Sequence, residues 1–320
     1  MPGRADIMNS VSSSKSLTIV VAINPSASFG RSRDVGPAVV STLRALGHSV
    51  TSLTEPSFDE LREAGRLAVK AKPDALVVVG GDGMVSLGTN LVAQTSVPLG
   101  IIPAGTGNDM ARGLGIPVGN TEAAIGALIE ALGKPPLVID AALMRHTDDE
   151  TGADTTTWFA CVLSAGFDAI VNERANFIRW PKGKNRYLVA LAIELAKLRP
   201  IEYTLTIDGV RMHTHAVLVA AANNLSYGGG MKIAPEASFT DGLLDVFIVE
   251  PLSRLAFLRI FPRVFSGTHV SDRRVTIIRA KRVRIESAGI VGYADGERVG
   301  SLPIDIELVP RALKVLAPAS

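Results

Sequence analysis

The sequence predicts two structural units: an N-terminal α/β domain built on a parallel sheet, then a C-terminal antiparallel β-sandwich. Three observations carry this. As far as about residue 135, short apolar runs alternate with amphipathic ones, the pattern of strands buried on both faces and covered by helices. After Pro135-Pro136 the chain changes to strand-like segments separated by turn residues, the pattern of sandwiches and barrels. A chain of 320 residues is also long for one compact core.

In order along the chain, LTIVVAINP from Leu17 reads as a buried strand and VGPAVVSTLRALG as a helix ended by Gly47. HSVTSLT is a second strand, and FDELREAGRLAVKA a helix with Leu61, Ala64, Leu67 and Ala68 on one face. DALVVVGG, MVSLGTNLVAQ and VPLGIIPAG follow as strand, helix and strand. Beyond Pro136 the predicted strands are LVIDAALMRH, TWFACVLSAGF, IEYTLTIDG, MHTHAVLVAAANN, LLDVFIVE, VTIIRA, RVRIES and LPIDIELV. Two helices interrupt them, NRYLVALAIELAKL and SRLAFLRIFPRVF. The expected organisation is a loose tail over 1–16, an α/β domain over 17–138 and a sandwich over 139–305. No internal repeat is visible.

Composition narrows the setting. A net charge of +2 gives no electrostatic case for nucleic acid, and no run of about 18 apolar residues offers a spanning helix. The segment MPGRADIMNSVSSSKS lacks the apolar core of a signal peptide. Cys161 is the only cysteine, so no internal disulfide forms, and a reducing cytoplasm is expected. In its apolar strand it reads as core. His213 and His215 alternate on a strand with no third ligand nearby and read as surface residues.

Ligands of parallel α/β sheets bind at the carboxyl ends of the strands. Three such ends carry turn chemistry: Asn24-Pro25-Ser26, Gly80-Gly81-Asp82-Gly83 and Gly105-Thr106-Gly107-Asn108. Glycines let a ligand approach the backbone, and a following helix aims free N–H groups at a phosphate. The lysine of a G-x-x-x-x-G-K-[ST] loop is missing. Two helix N-termini facing one spot would replace it, with Asp82 as an indirect metal ligand or a brace for the turn.

Together, Asn24-Pro25, Gly80-Gly81-Asp82-Gly83 and Pro103-Ala104-Gly105-Thr106-Gly107-Asn108-Asp109 resemble the diacylglycerol kinase catalytic family. Its relatives include the sphingosine and ceramide kinases. The resemblance extends through Asp241-Gly242-Leu243-Leu244-Asp245 and Asp295-Gly296-Glu297, so it spans nearly the whole chain. G-G-D-G alone is shared with NAD kinases and phosphofructokinases; G-T-G-N-D with a later D-G-E is far more specific. The resemblance implies a phosphofructokinase- or NAD-kinase-like nucleotide domain, a sandwich that takes the lipid, and ATP in the cleft between them. About 306–320 would return to the nucleotide domain.

By resemblance, ATP would be lined by Asn24, Pro25, Ser26, Ala27, Ser28, Thr54, Gly81, Asp82, Gly83, Met84, Val85, Ser86, Leu87 and Thr106. The family usually has threonine after G-G-D-G and often Asn-Glu further on. Met84, Ser86 and Leu87 stand there instead, which removes a hydroxyl and a carboxylate but leaves backbone contacts intact. Asp295 would be the general base, supported by Glu297; from spacing alone, Asp-Gly between strands is a hairpin turn. A structural Mg²⁺ would sit on Asp241 with backbone from Ser238 and Leu243, in addition to the Mg²⁺ carried by ATP. A turn aspartate without a metal is the other reading. Basic candidates for phosphate charge are Arg31, Arg33, Arg112 and Lys232.

The implied substrate is a membrane lipid, diacylglycerol giving phosphatidic acid, reached by peripheral association with the inner face of the membrane. PLSRLAFLRIFPRVF mixes basic and aromatic residues as interfacial helices do, and the basic run RRVTIIRAKRVRIE follows. The same helix could simply pack on the sandwich with its arginines in water. A homodimer is left open. Two rivals are an NAD kinase, for which Asn172-Glu173 would hold ribose hydroxyls, and a non-catalytic nucleotide or lipid sensor, motivated by Met84 and Leu87.

Overall fold

The computed structural model describes residues 16–24, 34–178, 180 and 184–318. Pro25, Ser26, Ala27, Ser28, Arg31 and Arg33 lie outside the described residues.

The N-terminal elements are β1 (Thr18–Ile23), α1 (Val35–Ala45), β2 (Ser49–Leu53), α2 (Phe58–Lys70), β3 (Ala75–Gly80), α3 (Asp82–Val92), β4 (Leu99–Pro103), α4 (Asp109–Gly113) and α5 (Thr121–Leu132). Strands β2-β1-β3-β4 lie side by side and parallel. β3 and β4 are buried at every position, which explains their unbroken apolar runs. Ser57 caps α2 and Asn120 caps α5, each accepting a hydrogen bond from an N–H three residues on. Helix α5, alanine-rich and weakly amphipathic, is an element that the reading of strands and helices passes over.

The second half comprises β5 (Leu137–Thr147), β6 (Asp154–Phe159), β7 (Val162–Gly166), α6 (Phe167–Phe177), α7 (Lys184–Ala196), β8 (Ile201–Ile207), β9 (Val210–Ala216) and β10 (Leu218–Ala222). It continues with β11 (Leu244–Val249), α8 (Arg254–Ile260), β12 (Val275–Ala280), β13 (Arg282–Glu286), β14 (Val291–Ala294), β15 (Glu297–Ser301) and β16 (Ile304–Leu316). Six of these strands form one antiparallel sheet, β12-β11-β10-β7-β14-β15. It packs on β5, β6, β8, β9, β13 and β16 across a core that includes Leu163, Leu205, Val219, Val246, Ile285 and Ile306.

Two predicted strands are each two strands. TWFACVLSAGF breaks at Ala160-Cys161 and MHTHAVLVAAANN breaks at Val217. In both, the halves belong to different sheets. These are corners, where a chain buried on both sides passes from one layer to the other without leaving the apolar interior. The two units also share a sheet. The end of β16 turns parallel to β4, pairing Val315 with Leu99 and Leu316 with Gly100, so ten strands form one continuous sheet.

Side-chain partners revise two surface readings. The basic run after residue 272 is largely neutralised within the sandwich: Arg274 pairs with Asp272, Arg282 with Glu307, and Arg284 with Glu286 and Asp305. The segment predicted as one amphipathic helix over SRLAFLRIFPRVF is α8 followed by a 3-10 turn at Phe261–Val264. Phe257 meets Phe167 edge-on and stacks on Phe261. Arg263 donates to the Ser271 hydroxyl at 2.8 Å, a neutral partner that fixes its position without cancelling its charge.

Candidate active site

Because β2, β1, β3 and β4 run in one direction, their carboxyl ends share a rim. That rim carries Thr54, Asn24, Gly81 and Gly105. Asn24 continues the sheet by donating its N–H to the Val79 carbonyl at 3.2 Å. Thr54 is exposed, its hydroxyl 3.2 Å from that of Ser52. The two glycine loops pack backbone against backbone. A Cβ on Gly105 would stand 2.4 Å from the Gly81 Cα, and one on Gly107 would stand 2.3 Å from Asp82 Oδ2. No side chain fits between the loops, so glycine is required at both positions.

Asp82 opens α3 and turns towards the neighbouring loop. Its carboxylate accepts hydrogen bonds from the Asn108 N–H at 2.9 Å and the Asp109 N–H at 2.8 Å. Asn108 adopts a left-handed conformation (φ 55°) and closes its loop, its side chain accepting from Gly105 N–H and donating to Gly105 carbonyl. Asp82 is therefore a brace, one of the two roles expected of it. The expectation of two available helix N-termini is corrected. The amides that open α4 are taken up by Asp82, and α4 has only five residues. The first turn of α3 and the exposed Thr106 backbone remain as N–H donors, the Gly105 N–H being taken up by Asn108.

Met84, Val85 and Leu87 point away from this surface. Met84 is 1 % exposed and lies over Gly80, while Val85 and Leu87 belong to the same apolar core. Ser86 is partly exposed. Replacement of the family's hydroxyl by Met84 thus takes a side chain into the core and leaves the backbone of the α3 N-terminus in place.

The Asp295-Gly296 turn between β14 and β15 has positive φ at both residues (49° and 87°), a type I′ hairpin. It meets the nucleotide loops directly: a Cβ on Gly83 would stand 2.6 Å from Glu297 Oε1, and one on Gly296 would stand 3.9 Å from the Asp82 Cβ. The Asp295 carboxylate accepts three main-chain N–H groups at the β6–β7 corner, from Ala160 at 2.8 Å, Cys161 at 2.9 Å and Val162 at 3.0 Å. Burial nonetheless outweighs these donors and pushes its carboxyl up to about 6, with Asp82 adding to the rise. Glu297 is solvent-accessible as a residue, but its carboxyl end lies against the start of α3. Burial, then Asp82, raises its pKa. Asp109, raised by burial and by Asp82, accepts the Gly229 N–H at 2.9 Å.

Four carboxylates from both units therefore meet at the phosphate loops. Residues 18–139 match the family "Diacylglycerol kinase catalytic domain", and residues 161–317 match "YegS C-terminal NAD kinase beta sandwich-like domain". The diacylglycerol kinase of Mycobacterium tuberculosis is 38% identical over 94% of this chain and 95% of its own length. The chain belongs to the diacylglycerol kinase family. The Bacillus subtilis diacylglycerol kinase is 25% identical over 88% of this chain and 89% of its own. A crystal structure of a putative diacylglycerol kinase from Bacillus anthracis superposes with a TM-score of 0.73 at 25% identity, covering 95% of this chain and 98% of that one. The yeast NADH kinase shares the fold, with a TM-score of 0.56 at 12% identity over 95% and 84% of the two chains.

In this family member the NAD-kinase reading of Asn172-Glu173 loses its acid. Glu173 accepts the Tyr293 hydroxyl at 2.6 Å and Arg298 at 3.2 Å. His213 and His215 are exposed, His213 bonded to Thr204, and Cys161 is buried. Ser238, Asp241 and Leu243 lie on one turn, but the Asp241 carboxylate is already engaged. One oxygen accepts the Leu243 N–H at 3.1 Å and the other pairs with Arg279, which β11–β12 pairing places opposite Asp245. A guanidinium thus stands where a cation would neutralise the turn. This donor set does not fit Mg²⁺ as arranged. Among the described residues no three His, Cys, Asp or Glu side chains converge to hold a metal ion.

Of the basic candidates, Arg112 and Lys232 line one cleft of about 510 Å³ between the units, with Ile116, Leu225, Ser226 and Gly230. Arg112 Nε also donates to the Gly107 carbonyl at 3.0 Å. Sequence reasoning missed two neighbouring groups here: Asn224 donates to the Asp109 carbonyl at 3.3 Å and so ties the units together, and Asn223 donates to the Asp140 and Ala160 carbonyls within the sandwich. Two adjacent asparagines ending an apolar strand, followed by three glycines, were the available signal.

Proposed function

We propose that this chain transfers the γ-phosphoryl group of ATP to the free hydroxyl of a membrane diacylglycerol, giving phosphatidic acid. The observation that carries this reading is the contact between the Asp295-Gly296-Glu297 turn and the G-G-D-G loop, where Glu297 Oε1 lies 2.6 Å from where a Gly83 Cβ would be. Phosphoryl transfer requires little covalent chemistry from the protein; it requires positioning and charge stabilisation. The start of α3 and the Thr106 backbone bind phosphate oxygens, and Arg112 and Lys232 supply positive charge from the two walls of the cleft.

The roles of the two turn carboxylates exchange relative to the resemblance. Asp295 has both lone pairs of one oxygen and one of the other occupied by main-chain N–H groups, so it positions the turn. Glu297, with its raised pKa and a carboxyl that no main-chain N–H engages, is the better acceptor for the lipid hydroxyl proton. The nucleotide enters as its Mg²⁺ complex, for which Asp82, Asp109 and Glu297 provide anionic surroundings; when bound, the metal would neutralise charge on the transferred group. A lipid acceptor places the reaction at a bilayer, at the cytoplasmic face where ATP is found.

The test is a purified protein with labelled ATP, Mg²⁺ and separate acceptors: diacylglycerol, sphingosine, ceramide, phosphatidylglycerol and NAD. Label in phosphatidic acid is expected. Label in NADP, or in no acceptor at all, would overturn the proposal in favour of the NAD-kinase or sensor reading.

A further inference from the structure

Helices α6, α7 and α8 share a small apolar core of their own, Phe167, Val171, Ala175 and Ala190 packed with Phe257. Their solvent side is unusual. A surface helix ordinarily turns polar residues outward, but α7 has no charged residue from Tyr187 to Ile193. Leu188 is 62 % exposed and Tyr187 44 %, with Ala192 and Ala196 continuing the exposed face at four-residue spacing. On α8 the exposed residues are Arg254, Leu255, Leu258 and Arg259, one face of the helix, with Leu255 at 78 %. Phe177, the last residue of α6, and Trp180, between α6 and α7, are 82 % and 84 % exposed. Eight of the fourteen large exposed apolar side chains among the described residues belong to these helices and their flanks; elsewhere they are scattered singly, as is normal.

The sequence segments that carry this apolar surface are basic. Residues 174–193 contain five lysines and arginines and no acid, and residues 251–271 contain three arginines and no acid, in a chain whose net charge is only +2. Arg174 is paired with Glu194, whereas Arg254 and Arg259 have no ion-pair partner among the described residues. Exposed leucine and aromatic residues bordered by unpaired cations match the acyl–headgroup boundary of an anionic bilayer. A second copy of the chain matches badly, because a two-fold interface would set the same cations against one another. A helix of 13 residues is too short to span, so it would lie in the interface.

We propose that the outer faces of α7 and α8 dock the enzyme on an anionic lipid surface, with Leu188, Leu255, Leu258 and the Phe177 and Trp180 rings entering the interface. The proposal rests on the lipid-kinase reading for its purpose but not for its test. Sedimentation uses vesicles of equal parts phosphatidylglycerol and phosphatidylcholine, without diacylglycerol or ATP. The full chain is expected to bind, less at high salt. Leu188→Glu and Leu258→Glu each lower partitioning about tenfold. Arg254→Glu and Arg259→Glu, each changing the surface by two charges, lower it about 30-fold. Leu67→Glu, at an exposed leucine on α2, leaves it unchanged.

In a Trp158→Phe background, Trp180 is the only indole, and its emission should shift to the blue on vesicles. Equal partitioning of the Leu188→Glu and Leu67→Glu variants, or an unshifted Trp180, would overturn the proposal. So would a wild-type dimer, seen by light scattering, that Leu188→Glu dissociates in the absence of lipid. Vesicle binding without phosphorylation of any lipid would refute the kinase reading and leave the docking surface standing. Phosphorylation of a water-soluble short-chain diacylglycerol by Leu188→Glu at the wild-type rate, with loss only on vesicles, would support both.

Discussion

Asp295 and Glu297 sit two residues apart, and their environments predict different outcomes for the corresponding amides. Glu297→Gln removes the proposed proton acceptor without removing a hydrogen bond of the fold, and it relieves the burial of a charge; kcat should fall about 10²–10⁴-fold with a melting temperature that at pH 7 is no lower than wild type. Asp295→Asn acts on stability as well. An amide has one acceptor oxygen, so at least one of the three N–H groups from Ala160, Cys161 and Val162 loses its partner, costing about 1–3 kcal/mol. Against this stands the burial of charge. A carboxyl raised from 3.8 to about 6 in the fold binds its proton more tightly when folded. The native state therefore loses stability as pH rises between those values, by about 3 kcal/mol in all. Asn lacks that loss. The variant should be less stable than wild type near pH 4 and close to or above it near pH 7, a relative swing of about 3 kcal/mol. Urea melts at the two pH values, with kcat measured on vesicle diacylglycerol, test both points. A pH-independent stability difference would refute the buried-charge argument. A loss of kcat in a stable Asp295→Asn that exceeds the loss in Glu297→Gln would return the role of base to Asp295.

Gly105→Ala places a Cβ 2.4 Å from the Gly81 Cα, so the loops must separate. KM for ATP should rise at least about tenfold with the fold retained by circular dichroism. Asp82→Ala orphans the Asn108 and Asp109 amides; a loss of about 2–4 kcal/mol in chemical denaturation is expected, together with weaker nucleotide binding by calorimetry. Met84→Ala empties a fully buried position and should cost about 2–5 kcal/mol while leaving KM for ATP unchanged, because the nucleotide meets backbone there; a selective rise in KM would show that the Met84 side chain contributes.

The parallel strands were legible because burial on both faces leaves continuous apolar runs such as ALVVVG. That same continuity hid the corners at Ala160-Cys161 and Val217, since a chain that changes sheets inside the core shows no polar interruption. Helix α6 was hidden for a different reason: it starts at Phe167 directly after β7, so its first residue read as the end of the strand, and the mixed sequence DAIVNERANF that follows shows no clear apolar face. The glycine loops were visible because their geometry demands a residue type. Their partners were not. Asp82 acts on amides 26 and 27 residues away, and Asp295 on amides more than 130 residues away; local pattern carries no information about such pairings. The basic run after residue 272 misled in part for the same reason: Asp272 and Glu286 flank it in sequence, but Asp241, Asp305 and Glu307, which pair with Arg279, Arg284 and Arg282, are distant along the chain.

A phosphate loop without lysine still requires positive charge, and the carboxylates increase that demand. Asp82 withdraws the two amides of α4 from the ligand and raises the pKa of Asp109, Asp295 and Glu297. What it provides in exchange is rigidity: the G-T-G-N-D loop is bonded to α3 and backed against Gly81, so the remaining amides are fixed before the ligand arrives. The cations proposed to meet that demand stand on opposite walls of one cleft, Arg112 on α4 and Lys232 on the sandwich side. Such a site is complete only when the two units hold their relative placement. The hydrogen bonds from Gly229 and Asn224 to Asp109 maintain that placement directly at the phosphate loop. Substituting Asn224 should therefore weaken nucleotide binding although its side chain contacts only protein. The same substitution would leave affinity unchanged if the N-terminal unit alone held the phosphates.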